Sequence, residues 1–186
     1  MLYYIHVRVG GEGRLENKQL SVAETLKFAR HDFLNELQLI LMHIDLGQLL
    51  EAKNTIHAAT GRIRQTAVLD KLGLPKTAIW LSTFSWRFAS FTTTVSCDVR
   101  HAVGHVEDEL LVDYLEAVFQ EAVKQLDVTA AYELQIDVHA SKTDWFIRFQ
   151  VDGPVGNLSP APVPVGAFSV DESISHNQWM FTVRGQ

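Results

Sequence analysis

The chain has 186 residues, of which 47% are hydrophobic and 20% are charged, a composition typical of a soluble globular protein with one or two small domains. The formal net charge of −6 gives no broad electrostatic reason to bind nucleic acid or an anionic membrane. No apolar run approaches the ~20 residues that span a bilayer, the first residues lack a signal-peptide pattern, and the single cysteine excludes an intrachain disulfide. We therefore expect a cytoplasmic protein without a membrane-spanning segment.

The first 20 residues form an N-terminal arm to which we assign no function. Residues 1–9 alternate between apolar and polar side chains like a short strand, and a glycine-rich segment over 10–13 ends that pattern. A helix is predicted to begin at Ser21, because Ser21 and Glu24 have the spacing of a capping box. Its pattern continues without proline to about Asp45.

A second helix is predicted from about Leu49 to Leu72, after a turn at Gly47 and before Gly73 and Pro75. Gly61 lies inside this helix and costs about 1 kcal/mol relative to alanine, which close packing against a neighbour would explain. The two helices predict a helical-hairpin domain over residues 21–73.

One side of the first helix carries an apolar seam with alternating three- and four-residue steps: Leu26, Ala29, Phe33, Leu37, Ile40 and Ile44. At ~100° per residue, His31 lies roughly 140° from the centre of that seam, on the same side as Asn35 and Gln38. A hairpin of this size cannot bury its seam alone. Pairing with a second copy would bury it, which predicts a homodimer with a four-helix bundle.

Residues 74–186 have the mixed pattern of an α/β domain, so the whole chain is predicted to be of the α+β class. The predicted elements are a helix over Lys76–Ser90, a strand over Thr92–Arg100, a helix over Glu107–Leu126, strands over Tyr132–Ala140 and Asp144–Val151, a loop over Gly153–Gly166 and a final strand over Gln178–Arg184.

His31 is the residue that we expect to carry chemistry. An exposed imidazole is a nucleophile at neutral pH because much of it is unprotonated. Asp32 can hold or deprotonate the ring, and Arg30 can pair with phosphoryl oxygens. Asn35 and Gln38 can orient the imidazole or a phosphate by hydrogen bonds. The same five residues could also form an ordinary polar helix face.

The segment from Arg30 to Ile40 resembles the phosphoacceptor helix of the sporulation initiation phosphotransferase B family. It has the pattern Arg-His-Asp-aromatic-x-Asn-x-Leu-Gln, which also occurs in related sensor kinases of the citrate and malate type. The resemblance extends to residues 84–87, to the helix around Phe119 and to the strand that ends near Asp152. It covers most of the chain from about residue 24 and leaves residues 1–20 outside.

The resemblance implies a dimer in which helical hairpins form a four-helix bundle, each followed by a degenerate histidine-kinase-like α/β sandwich domain. It implies that His31 accepts a phosphoryl group from the aspartyl phosphate of one response regulator and passes it to another, with Arg30, Asp32, Asn35 and Gln38 lining its surface. It implies no cofactor or metal ligand in this chain, because the response regulator would supply the Mg²⁺.

Two alternatives remain open. The chain could be a sensor kinase fragment that autophosphorylates from ATP, although Glu121 stands where such a domain needs an asparagine for Mg²⁺. Residues 151–157 only approximate a glycine-rich Asp-x-Gly-x-Gly box, and no later Gly-x-Gly loop follows. The chain could also be a non-catalytic dimeric module that docks response regulators. ATP binding separates the first alternative from the transferase, and labelled phosphoryl transfer separates the second.

Overall fold

The computed structural model describes residues 21–164 and 166–185, so the strand predicted over residues 1–9 lies outside the described residues. The helices are α1 (Val22–Asp45), α2 (Leu49–Leu69), α3 (Pro75–Ser82), α4 (Phe84–Arg87) and α5 (Asp108–Gln125), and the strands are β1 (Phe91–Val99), β2 (Tyr132–Ala140), β3 (Trp145–Asp152), β4 (Phe168–Ile174) and β5 (Gln178–Gly185). A helical N-terminal region followed by a mixed α/β domain confirms the predicted fold class. In the described part of the chain, no helix has both the length and the apolar character needed to cross a membrane.

The predicted start of α1 is confirmed. The Glu24 amide donates to the Ser21 hydroxyl at 3.2 Å, and the Ser21 amide donates to the Glu24 carboxylate at 2.9 Å, which completes the capping box. Because these two bonds satisfy amides that lack partners within the helix, they define where α1 begins.

The end of α2 agrees with the prediction. The helix tightens into a 3-10 turn over Asp70–Leu72 and stops at Gly73, whose φ of +76° is left-handed. A Cβ atom at Gly73 would lie 2.9 Å from the Ala102 Cβ, so glycine is also required by the close approach of that loop. The explanation offered for Gly61 is wrong within a single chain, since a Cβ built there would have no described atom within 4 Å apart from its chain neighbours and its own helix backbone.

The hairpin leaves an apolar surface uncovered. No side chain of α1 is fully buried, although Ile40 is half-buried, and an ion pair between Glu36 and Arg62 joins α1 to α2. Beside this contact line, helix periodicity places a set of exposed apolar side chains on one side of both antiparallel helices. We call this set the apolar stripe: Leu26, Phe33, Leu37 and Ile44 of α1 with Leu49, Ile56 and Ile63 of α2.

The α/β domain is a five-stranded sheet with helices packed on one face. The strand order is β1-β2-β3-β5-β4, with β1 parallel to β2 and the other neighbours antiparallel. Alternate residues of β2 and β3 point into a core shared with α3 and α5, where the Phe119 and Phe149 rings lie 5.0 Å apart. The edge of β1 meets α2, and the Cys97 amide donates to the Gln65 side chain at 2.9 Å.

The prediction of one helix over Lys76–Ser90 is wrong, because α3 and α4 are separate. The break is at Thr83, which has φ −104° and ψ 6°, and whose hydroxyl donates to the Ile79 carbonyl at 2.8 Å. A threonine that bonds back to the preceding turn is known to bend helices.

Strand β4 was not predicted from the sequence. Its inward positions carry Phe168, Val170, Glu172 and Ile174, and the glutamate interrupts the apolar alternation. Glu172 is accommodated because its carboxylate accepts from the Trp179 indole at 2.8 Å and from the Ala161 amide at 2.9 Å. Partly buried polar groups are tolerated when they are hydrogen-bonded, which explains why a glutamate can occupy an inward position of this strand.

Candidate functional site

His31 lies near the middle of α1 with its side chain 68% exposed, as its angular distance from the seam predicts. The helix holds it rigidly, since α1 runs for 24 residues without glycine or proline. The ring nitrogen Nδ1 faces Asp32 and Asn35, whereas Nε2 contacts no other polar group among residues 21–164 and 166–185. Nε2 is therefore the nitrogen that an incoming electrophile can reach.

Two neighbours compete for Nδ1 of His31. The Asn35 side-chain nitrogen lies 3.1 Å from Nδ1, and the Asp32 Oδ1 lies 3.4 Å from it. A neutral imidazole carries one proton, so Nδ1 either accepts from Asn35 or donates to Asp32. In the first case the proton is on Nε2, and in the second case Nε2 has the lone pair that a nucleophile needs.

Asp32 is also bound from the α/β domain. The Trp86 indole nitrogen donates to Asp32 Oδ2 at 2.7 Å, and the Trp86 ring stacks on Phe28 with centroids 5.9 Å apart. Phe28 and Asp32 are four residues apart, which places them on one face of α1. Trp86 is thus a site residue that sequence reasoning missed, because 54 residues separate it from Asp32. The only available signal was that residues 84–87 belong to the resemblance.

Helix α4 holds Trp86 in place from the side of the core. Phe84 is fully buried, and Arg87 forms an ion pair with Glu116 of α5 at 2.9 Å, with only 12% and 16% of the two side chains exposed. The same Glu116 oxygen accepts from the Trp80 indole at 2.6 Å. Because α4 is packed against the core of the α/β domain, Trp86 moves together with that domain.

The remaining two predicted site residues do not contact His31. Arg30 and Gln38 are exposed, and neither makes a hydrogen bond or ion pair with any residue that the structure describes. Arg30 is one residue away from His31, and therefore about 100° around the helix. The structure thus brings His31, Asp32 and Asn35 together and leaves Arg30 and Gln38 at the rim of the same exposed surface.

Glu121, which stands where the sequence comparison expects the asparagine of an ATP-binding domain, is bound within its own helix. Glu121 of α5 accepts from Lys124 at 2.9 Å and from Gln125 at 3.1 Å, and its pKa is lowered mainly by the Lys124 hydrogen bond. The segment after β3 packs onto α5, where the Tyr114 hydroxyl donates to the Pro162 carbonyl at 2.7 Å. The cavity between Glu121 and this segment has a volume of about 20 Å³.

The aspartate of the approximate glycine box is engaged in the sheet. Asp152 accepts from the side-chain amides of Gln178 at 2.9 Å and Gln150 at 3.0 Å, and these bonds lower its pKa. Gly153 follows with a φ of +150°, and a Cβ atom there would lie 2.6 Å from the Tyr132 ring. Asp152 and Gly153 therefore form the end of a strand and a turn.

A comparison with known proteins identifies the helical part of the chain. Residues 13–69 match the family described as sensor kinase SpoOB-type, alpha-helical domain. The match begins at residue 13. It therefore includes residues 13–20 of the N-terminal arm, which the resemblance found in the sequence did not cover. No curated protein matches the sequence.

Solved structures similar to this chain include several histidine kinases. The histidine kinase AdeS of Acinetobacter baumannii has a TM-score of 0.42 and 14% identity, with 89% of this chain and 98% of that chain covered. The blue-light activated histidine kinase EL346 of Erythrobacter litoralis has a TM-score of 0.39 and 13% identity, with 91% and 61% covered. The histidine kinase ThkA, solved in complex with the response regulator protein TrrA, has a TM-score of 0.39 and 10% identity, with 89% and 62% covered. The helical hairpin that carries His31 thus matches the SpoOB-type family over residues 13–69, which supports the resemblance seen in the sequence.

Proposed function

We propose that this chain is a phosphorelay phosphotransferase of the sporulation initiation type, in which His31 accepts a phosphoryl group from an aspartyl phosphate of one response regulator and passes it to another. The observation that carries the proposal is the exposed imidazole of His31 on a SpoOB-type hairpin, with Nδ1 held by its own helix and Nε2 open to a partner. We place it in the cytoplasm together with its response regulators.

The chemical step needs only the histidine and the partner. The Nε2 lone pair attacks phosphorus, the Nε2–P bond forms, and the P–O bond of the acyl phosphate breaks with its electron pair leaving on the aspartate carboxylate. The proton on Nδ1 of the resulting imidazolium passes to Asp32 or to water. Because both linkages are high-energy bonds, the reverse steps return the group to a second aspartate. The Mg²⁺ and a cationic side chain that neutralise the phosphoryl oxygens belong to the response regulator.

A homodimer is part of the proposal, and the apolar stripe supports it. Leu49, Ile56 and Ile63 recur at seven-residue intervals on α2, which is the spacing of a helical bundle seam. These side chains are 47–66% exposed in the single chain. A second copy that pairs stripe to stripe would complete a four-helix bundle and leave His31 on its outer surface.

ATP is not the proposed phosphoryl donor. Ligand pockets for molecules of this size have volumes of about 300–1,000 Å³, whereas the cavity beside Glu121 holds about 20 Å³. Glu121 also stands where an ATP-binding domain needs an asparagine, and its carboxylate is already bound by Lys124 and Gln125. Both features support a transferase over an autophosphorylating kinase.

The test is a transfer assay with a response regulator receiver domain that carries radiolabelled aspartyl phosphate. We expect label on the wild-type chain and on His57→Gln, a matched control on the exposed surface of the same hairpin, but none on His31→Gln. Since His31 is exposed, His31→Gln should change the stability by less than about 0.5 kcal/mol. Equal labelling of His31→Gln would refute the proposal. Labelling from ATP alone would favour the kinase, and binding of the regulator without any label would favour the docking module.

A further inference from the structure

The contact between Trp86 and Asp32 links the α/β domain to the proposed phosphoacceptor. We propose that Trp86 is a positioning residue that restrains Asp32 and thereby decides which ring nitrogen of His31 carries the proton. This inference rests on the proposed function, since it concerns the reactivity of the same histidine.

The distances indicate the direction of the effect. Asp32 makes its short hydrogen bond, at 2.7 Å, with the Trp86 indole, whereas its other oxygen is 3.4 Å from His31 Nδ1. Asn35 lies closer to Nδ1, at 3.1 Å. Since N–H···O bonds are weak beyond about 3.2 Å, Asn35 is favoured as the donor to Nδ1 while Trp86 holds Asp32. We call the hydrogen bond between Trp86 and Asp32 the latch. The proton then resides on Nε2, which has no lone pair for attack on phosphorus.

Release of Asp32 from Trp86 would reverse this preference. A carboxylate that is no longer bound to the indole can turn toward Nδ1 and accept its proton in a charge-assisted hydrogen bond, which is stronger than a bond from a neutral amide. Nδ1–H then leaves the lone pair on Nε2. The latch therefore keeps His31 in the less nucleophilic tautomer, and its opening activates the ring without any change in α1 itself.

The structure explains what would open the latch. Trp86 is attached to the core through Phe84 and through the ion pair between Arg87 and Glu116. Its contacts with α1 are the hydrogen bond to Asp32 and the stack on Phe28. A small shift of α4 away from α1 would break both contacts together. The position of the α/β domain relative to α1 is therefore coupled to the tautomer of the His31 ring.

Other charged groups around His31 are accounted for. Lys27 and Arg30 on α1 are exposed and make no hydrogen bond with the imidazole in the described chain. Arg62 on α2 is paired with Glu36, and Arg87 on α4 is paired with Glu116. Among the described residues, Asp32 is the carboxylate that lies within 4 Å of the imidazole.

The test measures the ¹⁵N chemical shifts of the His31 ring in the full chain at pH 8, without any response regulator. Trp86→Phe keeps a ring that can stack on Phe28 but removes the N–H donor. We expect the ratio of the Nδ1–H to the Nε2–H tautomer to rise about 5-fold or more, which is the effect of one hydrogen bond of ordinary strength. The rate of phosphoryl acceptance should rise in parallel.

Asp32→Ala is the control for both measurements. In that background Trp86→Phe should leave the His31 shifts unchanged, and in Asp32→Ala alone the Trp86 indole proton should exchange with solvent at least about 5-fold faster than in wild type. An unchanged or lowered Nδ1–H fraction in Trp86→Phe would overturn the inference, as would an indole proton that exchanges equally fast with and without Asp32. The tautomer ratio and the indole exchange rate need no partner, so a failure of phosphoryl transfer in wild type would reject the proposed function independently of the latch.

Discussion

Truncation of Leu37 tests the proposed dimer through the apolar stripe. The Leu37 side chain is 46% exposed in the single chain, and full burial of a leucine contributes about 1.5–3 kcal/mol. Covering the exposed part of one Leu37 in a bundle would therefore contribute about 1 kcal/mol. A symmetric dimer contains two such side chains, so their contributions add. We expect Leu37→Ala to weaken the dimer by about 2 kcal/mol, or roughly 10- to 100-fold in the dissociation constant.

Leu39 provides a matched control. It has the same side chain and a similar exposure of 42%, but it lies two residues from Leu37 and so on the opposite side of α1. Sedimentation equilibrium across a concentration series should give Leu39→Ala the wild-type dissociation constant within about 2-fold. Equal weakening by both substitutions, or a wild-type chain that stays monomeric at high micromolar concentration, would show that the stripe is not the dimer interface.

Three further outcomes test other parts of the structure. Gly61→Ala should raise the free energy of unfolding in urea by about 0.5–1 kcal/mol, since nothing in the described chain obstructs the new methyl group; a loss of stability would mean that a partner backbone packs there. Tyr114→Phe removes the hydrogen bond to Pro162, so amide hydrogen exchange at Ser159 and Ala161 should accelerate about 5-fold, and an unchanged rate would contradict this tether. Burial, with a smaller contribution from the charge of Asp137, raises the pKa of the Cys97 thiol from 9.0 to about 11. At pH 8 the folded protein should thus react with a thiol reagent about 100-fold more slowly than the urea-unfolded chain. Between pH 9 and 11 the unfolded chain loses this proton first, so stability should fall there as the pH rises.

Elements whose signals are local were predictable from the sequence. The capping residues Ser21 and Glu24 determine where α1 begins, and Gly73 determines where the second helix stops, because each acts through bonds or dihedral angles within a few residues. Regular alternation over Tyr132–Ala140 was sufficient to predict a half-buried strand. The exposure of His31 followed from helix periodicity in the same way.

Elements whose stability comes from distant residues were not predictable. Glu172 breaks the alternation of β4, but β4 pairs with β5, and the Glu172 carboxylate accepts hydrogen bonds from the Trp179 indole and the Ala161 amide. The break at Thr83 depends on a hydroxyl that bonds to its own helix, a choice that sequence patterns leave open.

The same distinction between local signals and distant contacts applies to the candidate site. The sequence by itself placed His31, Asp32 and Asn35 on neighbouring faces of one helix, because residues one to four apart have a fixed geometry there. Only the tertiary structure brought Trp86 against Asp32, since that contact requires the α/β domain to pack beside α1. The packing of residues 158–162 against α5 likewise depends on tertiary structure, through the hydrogen bond from Tyr114 to Pro162. Local periodicity thus determined where the histidine is displayed, and long-range packing decided which groups hold its neighbours.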